Sequence, residues 1–179
     1  MMFTRSTIAG AMVSVLLLAG GAAAAQKPSV SQLAMAATPM KASAVRSLYA
    51  GRTWKWSTGG GYFSTRKGAP YMFSPDQNKF VAATQKGGTW SYAEGVWGTT
   101  ADGRMCMTAR WTTANFPTSS PAFTCFLHRE KNGVIYQKRA LGGDWYVFRH
   151  NPPQAGDEAA KLVSGDLVSK DVARRKSGR

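Results

Sequence analysis

Tight-turn signals recurring at short, steady intervals constrain this chain more than any other feature. Between residues 90 and 150 stand Asp102-Gly103, Asn132-Gly133 and Gly142-Gly143. Asp-Gly and Asn-Gly tolerate the positive φ that two-residue hairpin turns require. The runs between them are too short for stable helices, and they alternate. Trp90 and Tyr92 share one side, and Met105, Met107, Ala109 and Trp111 share another. A period of two is the mark of a strand with one covered face.

The same pattern reaches upstream. Trp54 and Trp56 share a strand face, Gly59-Gly60-Gly61 reads as a turn, and residues 62–65 read as the next strand. Residues 71–73, 80–84, 89–93, 96–100, 105–111, 122–129, 134–139 and 145–149 complete a set of short strands, with residues 112–121 as a loop. The expected fold class is mainly all-β: a small antiparallel β-barrel, lipocalin/calycin-like, whose closure removes exposed edges. Strand order is not set by sequence, so a sandwich stays open as the alternative.

Thr38 suits a helix N-cap, Pro39 the first helical position and Gly51 the stop. This predicts a helix over residues 39–50 that covers one end of the barrel. Its apolar face would be Met40, Ala44, Val45 and Leu48. The expected organisation is a signal peptide over 1–25, a linker over 26–38, the helix-plus-barrel domain over 39–152, and an extension over 153–179. The extension would hold a short helix at 157–163 and end in a disordered basic tail, Arg174, Arg175, Lys176 and Arg179.

The signal peptide is read from Arg5, an apolar run over 8–18, and Ala23-Ala24-Ala25 before Gln26. The apolar run is about half the ~20 residues a spanning helix needs. Export to the periplasm, with cleavage near Ala25, is the expectation. It makes a Cys106–Cys125 disulfide reasonable. That bond would close a loop of about 20 residues, worth ~3 kcal/mol in a chain-entropy treatment. One conflict stands: Cys106 points away from the apolar face of its strand, whereas Cys125 shares its face with Phe123 and Leu127. A meeting would need both faces covered, or a bulge that shifts the register.

Several segments together resemble a known family. They are Leu48 with Trp54-Lys55-Trp56, Gly60-Gly61-Tyr62-Phe63-Ser64, Gly95-Val96-Trp97, Gly103-Arg104-Met105-Cys106, Cys125-Phe126-Leu127-His128 and Ile135-Tyr136. In this order, across residues 40–150, they resemble the bacterial exported family known as domain of unknown function 995 (DUF995). The resemblance implies an exported bacterial protein and assigns no catalytic residues.

Charge and aromatic content direct the functional reading. The formal charge is +14, and removing residues 1–25 loses only Arg5, leaving +13. Such an excess calls for an anionic neighbour. Export argues against nucleic acid. No Gly-x-Ser-x-Gly, His-Glu-x-x-His or Cys-x-x-Cys occurs, so no catalytic residue, metal or cofactor is assigned. The expected ligand-binding set is Trp54, Trp56, Tyr62, Trp90, Tyr92, Trp97, Arg104, Arg110 and Trp145. Aromatic rings would line a pocket, and arginines would meet phosphate or carboxylate. The leading expectation is a periplasmic barrel that binds an apolar or amphiphilic, possibly anionic, lipid-like small molecule or polymer of the cell envelope. The alternative is a structural or interaction protein with a solid barrel and a basic face, in peripheral contact with anionic membrane. A hydrolase using His128 and His150 is the third.

Overall fold

The computed structural model describes residues 26–68, 77–113 and 120–177. The signal-peptide segment, the strand expected at 71–73, most of the 112–121 loop and the last two residues lie outside them. Ten antiparallel strands form one strongly curled, half-barrel sheet. They are β1 (Thr38–Pro39), β2 (Arg52–Trp56), β3 (Gly59–Lys67), β4 (Asn78–Lys86), β5 (Thr89–Thr99), β6 (Arg104–Thr113), β7 (Ala122–Lys131), β8 (Val134–Arg139), β9 (Tyr146–Arg149) and β10 (Leu162–Ser164). Among the described residues three α-helices accompany them: α1 (Val30–Met35), α2 (Ala42–Tyr49) and α3 (Ser169–Ser177).

The sheet order is β10-β2-β3-β4-β5-β6-β7-β8-β9, and β1 pairs with the end of β7. Among the described residues no ladder joins β9 to β10. A 3-10 turn, Glu158–Lys161, lies across that seam against β9, β2 and β10. The all-β expectation therefore holds, with a turn rather than a hydrogen-bonded ladder at the seam.

The core lies on the concave side. Val45 and Tyr49 of α2 are buried there among Phe63, Phe80, Ala93, Trp97, Met105, Ile135 and Phe148. The helix starts at Ala42, later than expected, because Thr38 and Pro39 extend and pair with Glu130 and Arg129. Its buried stripe is Val45 and Tyr49, while Ala44 is exposed. The three glycines 59–61 are not the turn. They lie in β3, where a Cβ on Gly61 would sit 2.8 Å from the Phe80 ring and one on Gly59 2.0 Å from the Ala83 carbonyl oxygen. They serve close approach inside a curved sheet, not positive φ. For the same reason β5 runs unbroken through Gly95, whose Cβ would meet the Thr108 carbonyl oxygen at 1.9 Å.

Both terminal segments pack on the convex side. The stretch expected as a linker holds α1, with a capping box between Ser29 and Gln32. Arg129 donates to the carbonyls of Met35 at 2.9 Å and Ala37 at 3.2 Å, so it caps the end of α1. Ala34 and Ala37 then cover Tyr136, Val147 and Trp145 outside β8 and β9. The C-terminal extension supplies β10 and α3. Val168 and Val172 cover Ala83, Tyr62, Trp90 and Tyr92 outside β3 to β5. The basic tail is thus helical through Ser177, held by its apolar side.

Candidate functional site

With α1 over one flank and α3 over the other, the middle of the convex face stays uncovered among the described residues. Strands β5, β6 and β7 run there, and the disulfide lies in this strip. Cys106 and Cys125 are direct partners across β6 and β7, with Cα atoms 4.1 Å apart. Cys125 sends its carbonyl to Ala140 on the other side, so toward β6 it occupies a non-hydrogen-bonded position, where strands approach closest. No bulge intervenes. The conflict read from sequence resolves because Phe123 and Leu127 face outward with Cys125, while Phe126 and His128 face the core.

A groove of about 410 Å³ crosses this strip. Its walls include Val96, the two cysteines, Phe123 and Leu141, with Arg104 and Arg139 at its sides. Phe123 is 45% exposed and Leu141 81%, a large apolar surface to leave in water. Arg104 is held by Asp102 at 2.7 Å, whereas Arg139 has no ion pair among the described residues. A second depression of about 340 Å³ shares Val96 and is lined by Lys79, Val81, Glu94 and Arg110.

The expected ligand-binding residues do not converge on one site. Trp54 and Trp97 face the core; Trp97 is fully buried and donates to the Ser64 carbonyl at 3.0 Å. Trp56 stands on the concave rim, 37% exposed, with its N–H 3.4 Å from Thr84 Oγ1. Tyr62, Trp90 and Tyr92 lie beneath α3, and Trp145 lies beside α1. Arg104 and Arg110 border the uncovered strip, one in each depression, and Trp97, although buried, also contributes to the lining of the first. Alternation correctly paired side chains with faces, but it carries no sign of which face a terminal helix will cover.

Sequence reasoning missed a buried polar chain. His128 Nδ1 lies 3.2 Å from the Gly103 carbonyl, which can only accept, so Nδ1 carries the proton. The single lone pair of Nε2 is then shared between two donors, the Tyr49 hydroxyl at 2.7 Å and Gln137 Nε2 at 2.6 Å. Gln137 also donates to Tyr49 Oη at 2.6 Å and accepts from the Tyr146 hydroxyl. Burial of the imidazole drops the pKa of His128 to about 4, so the ring is neutral. Burial likewise raises Tyr49 and Tyr146 above the ordinary phenol value. His128, Gln137 and Tyr49 are 0% exposed and organise the core, and the chain ends at Tyr146, which is half-buried.

The other histidine is different. His150 Nδ1 lies 2.5 Å from Asp157 Oδ1, and Asp157 Oδ2 accepts from the backbone N–H of His150 and Gln154. Burial raises the Asp157 pKa, but these donors outweigh it and hold the carboxyl below its ordinary value. The pair fixes the turn that leads to the seam. His128 is fully buried whereas the side chain of His150 is 40% exposed, and the two share no hydrogen-bond partner among the described residues. Among the described residues no group of His, Cys, Asp and Glu could hold a metal ion.

One comparison bears on identity. The family model described as "Protein of unknown function (DUF995)" matches residues 14–168. The chain belongs to the DUF995 family. No curated protein and no solved structure matches it. The DUF995 chain thus brings no inherited site, and its groove, polar chain and seam must be read on their own chemistry. No described helix is long and apolar enough to cross a membrane.

Proposed function

We propose that this DUF995 protein is exported to the bacterial envelope and binds an amphiphile with an anionic head in the groove over its disulfide. One observation carries the reading. Among the described residues, the strip left uncovered by α1 and α3 is the strip with exposed Phe123 and Leu141 beside Arg139, which has no ion pair there. The groove's volume falls in the range of small-molecule sites. An acyl chain would lie on Val96, Phe123 and Leu141, and its head would reach the Arg139 guanidinium. The concave side, by contrast, is filled by α2 and its neighbours. The sequence supports export through its apolar, small-residue leader, and the disulfide is at home outside the cytoplasm.

The test is native mass spectrometry of the leaderless protein titrated with a lysophosphatidylglycerol below its micelle concentration. Stoichiometric binding, weakened about tenfold or more by Phe123→Ser and by Arg139→Gln, is expected. Absent binding, or equal binding by both folded variants, would overturn the reading.

A second reading has its own observation. Helix α3 carries the exposed cations Lys170, Arg174, Arg175 and Lys176 against one acid of its own, Asp171, which pairs with Arg174, while Lys176 pairs with Glu94; the surplus suits docking on an anionic envelope surface. Salt-sensitive cosedimentation with phosphatidylglycerol vesicles, unaffected by Phe123→Ser, would favour it over the groove.

A further inference from the structure

We infer that the seam between β9 and the β10–β2 edge holds a separate binding site for a small tetrahedral oxyanion of the phosphate type. The site is a cavity of about 160 Å³ whose lining includes Arg52, Arg149, Leu48, Pro153, Leu162 and Asp157. Arg52 opens β2 and Arg149 closes β9, so the two arginines come from strands on opposite sides of the seam. The 3-10 turn that spans the seam brings them to one cavity.

Charge balance points to an anion. Neither guanidinium has an ion pair among the described residues, and two like charges facing one small cavity repel. Asp157 is the acid in the lining; its charge offsets one of the two cations, but its oxygens are not hydrogen-bonded to either guanidinium. Its Oδ2 is taken by the N–H groups of His150 at 3.0 Å and Gln154 at 2.9 Å, and its Oδ1 by the His150 ring. Glu158, next in sequence, is occupied by Trp54 Nε1 at 2.8 Å and Lys161 at 2.7 Å. The lining therefore keeps one net positive charge, and both guanidinium groups keep their donors for a ligand.

Size and wall chemistry fix the class. The space equals about five water volumes, enough for one phosphate group and a little of its hydration. Guanidinium groups bind phosphate oxygens with paired, charge-assisted N–H donors. The floor of Leu48, Leu162 and Pro153 lowers the local dielectric and strengthens that attraction. This cavity is distinct from the groove over the disulfide and does not depend on it.

The experiment is thermal unfolding and calorimetric titration of the leaderless protein with inorganic phosphate, against sodium chloride at equal ionic strength. Phosphate is expected to raise Tm where chloride does not. Arg52→Gln and Arg149→Gln should each weaken binding about tenfold or more, and Arg149→Lys by less, since a point charge keeps attraction but loses the fork. Arg110→Gln, in the other depression, should leave it unchanged. A glycerol phosphate that binds more tightly than the free ion would point to a phosphate ester as the source, and weaker binding to the free ion. Identical responses to phosphate and chloride would overturn the site. So would undiminished phosphate binding by folded Arg52→Gln and Arg149→Gln.

Discussion

The Tyr49 hydroxyl of α2 lies 2.7 Å from Nε2 of His128 on β7, 79 residues away in sequence, with neither side chain exposed to solvent. One donor thus ties the helix to the sheet at the centre of the core. Tyr49→Phe would remove it and leave Nε2 of His128 with Gln137 alone, and Gln137 without one of its acceptors. A buried group stripped of its partner costs about 1–3 kcal/mol. We expect a loss of that order in urea unfolding, with the slope unchanged. A loss below about 0.5 kcal/mol would mean that the hydrogen bond contributes nothing beyond ring packing.

The same histidine sets a pH dependence. Its folded pKa, about 4, is below the ordinary 6.5 because burial disfavours the charged ring. The unfolded chain therefore binds a proton that the folded one refuses. The contribution is intact above pH ~6.5 and is lost as pH falls toward the folded value, roughly 3 kcal/mol at most. Unfolding free energies measured from pH 7.5 to 4.5 should fall more steeply for the native protein than for His128→Asn. Parallel slopes would show that the imidazole is not the source.

Removal of the disulfide acts on the unfolded chain. Cys106 and Cys125 are 19 residues apart and already aligned by the β6–β7 ladder, so the folded state needs little rearrangement to lose the bond. Cys106→Ser with Cys125→Ser should destabilise by about 3 kcal/mol while keeping the native circular dichroism. A changed β-sheet spectrum would instead mean that the bond sets the register.

Much of the sheet was legible because hairpin chemistry is local. Asp102-Gly103 and Asn132-Gly133 do join consecutive strands, and Asn132 and Gly133 both adopt positive φ. The glycines 59–61 misled because glycine also marks close approach, and that depends on Phe80 and Ala83, some twenty residues away. The candidate sites were less legible. Arg104 and Arg110 lie on the face opposite the apolar side of their strand, as alternation places them, but for Phe123 alternation gives only a shared face with Cys125 and Leu127, and its exposure depends on where α1 and α3 end up. Arg52 and Arg149 share a cavity only because the sheet curls, and no local pattern reports curl. Gln137 and Tyr49 carried no polar signal, although Tyr49 does follow Val45 by one helical turn.

The last expectation concerns α3, whose hold on the sheet rests on few contacts. Val172 is 3% exposed and packs with Val168 against Ala83, Tyr62, Trp90 and Tyr92. Arg175 lies over the Trp90 ring at 3.9 Å, and Lys176 reaches Glu94 at 2.8 Å. Exposed ion pairs and cation–π contacts contribute about 1 kcal/mol or less each, so the apolar contact should dominate. Val172→Asp would place a charge at that contact and release the helix. Tryptophan fluorescence should then shift to longer wavelength as Trp90 meets water, and proteolysis should cut the tail without unfolding the sheet. Arg175→Gln should produce only a small part of either effect. If Arg175→Gln released the helix as fully as Val172→Asp, the stacked guanidinium, not the buried valine, would be what holds α3 in place.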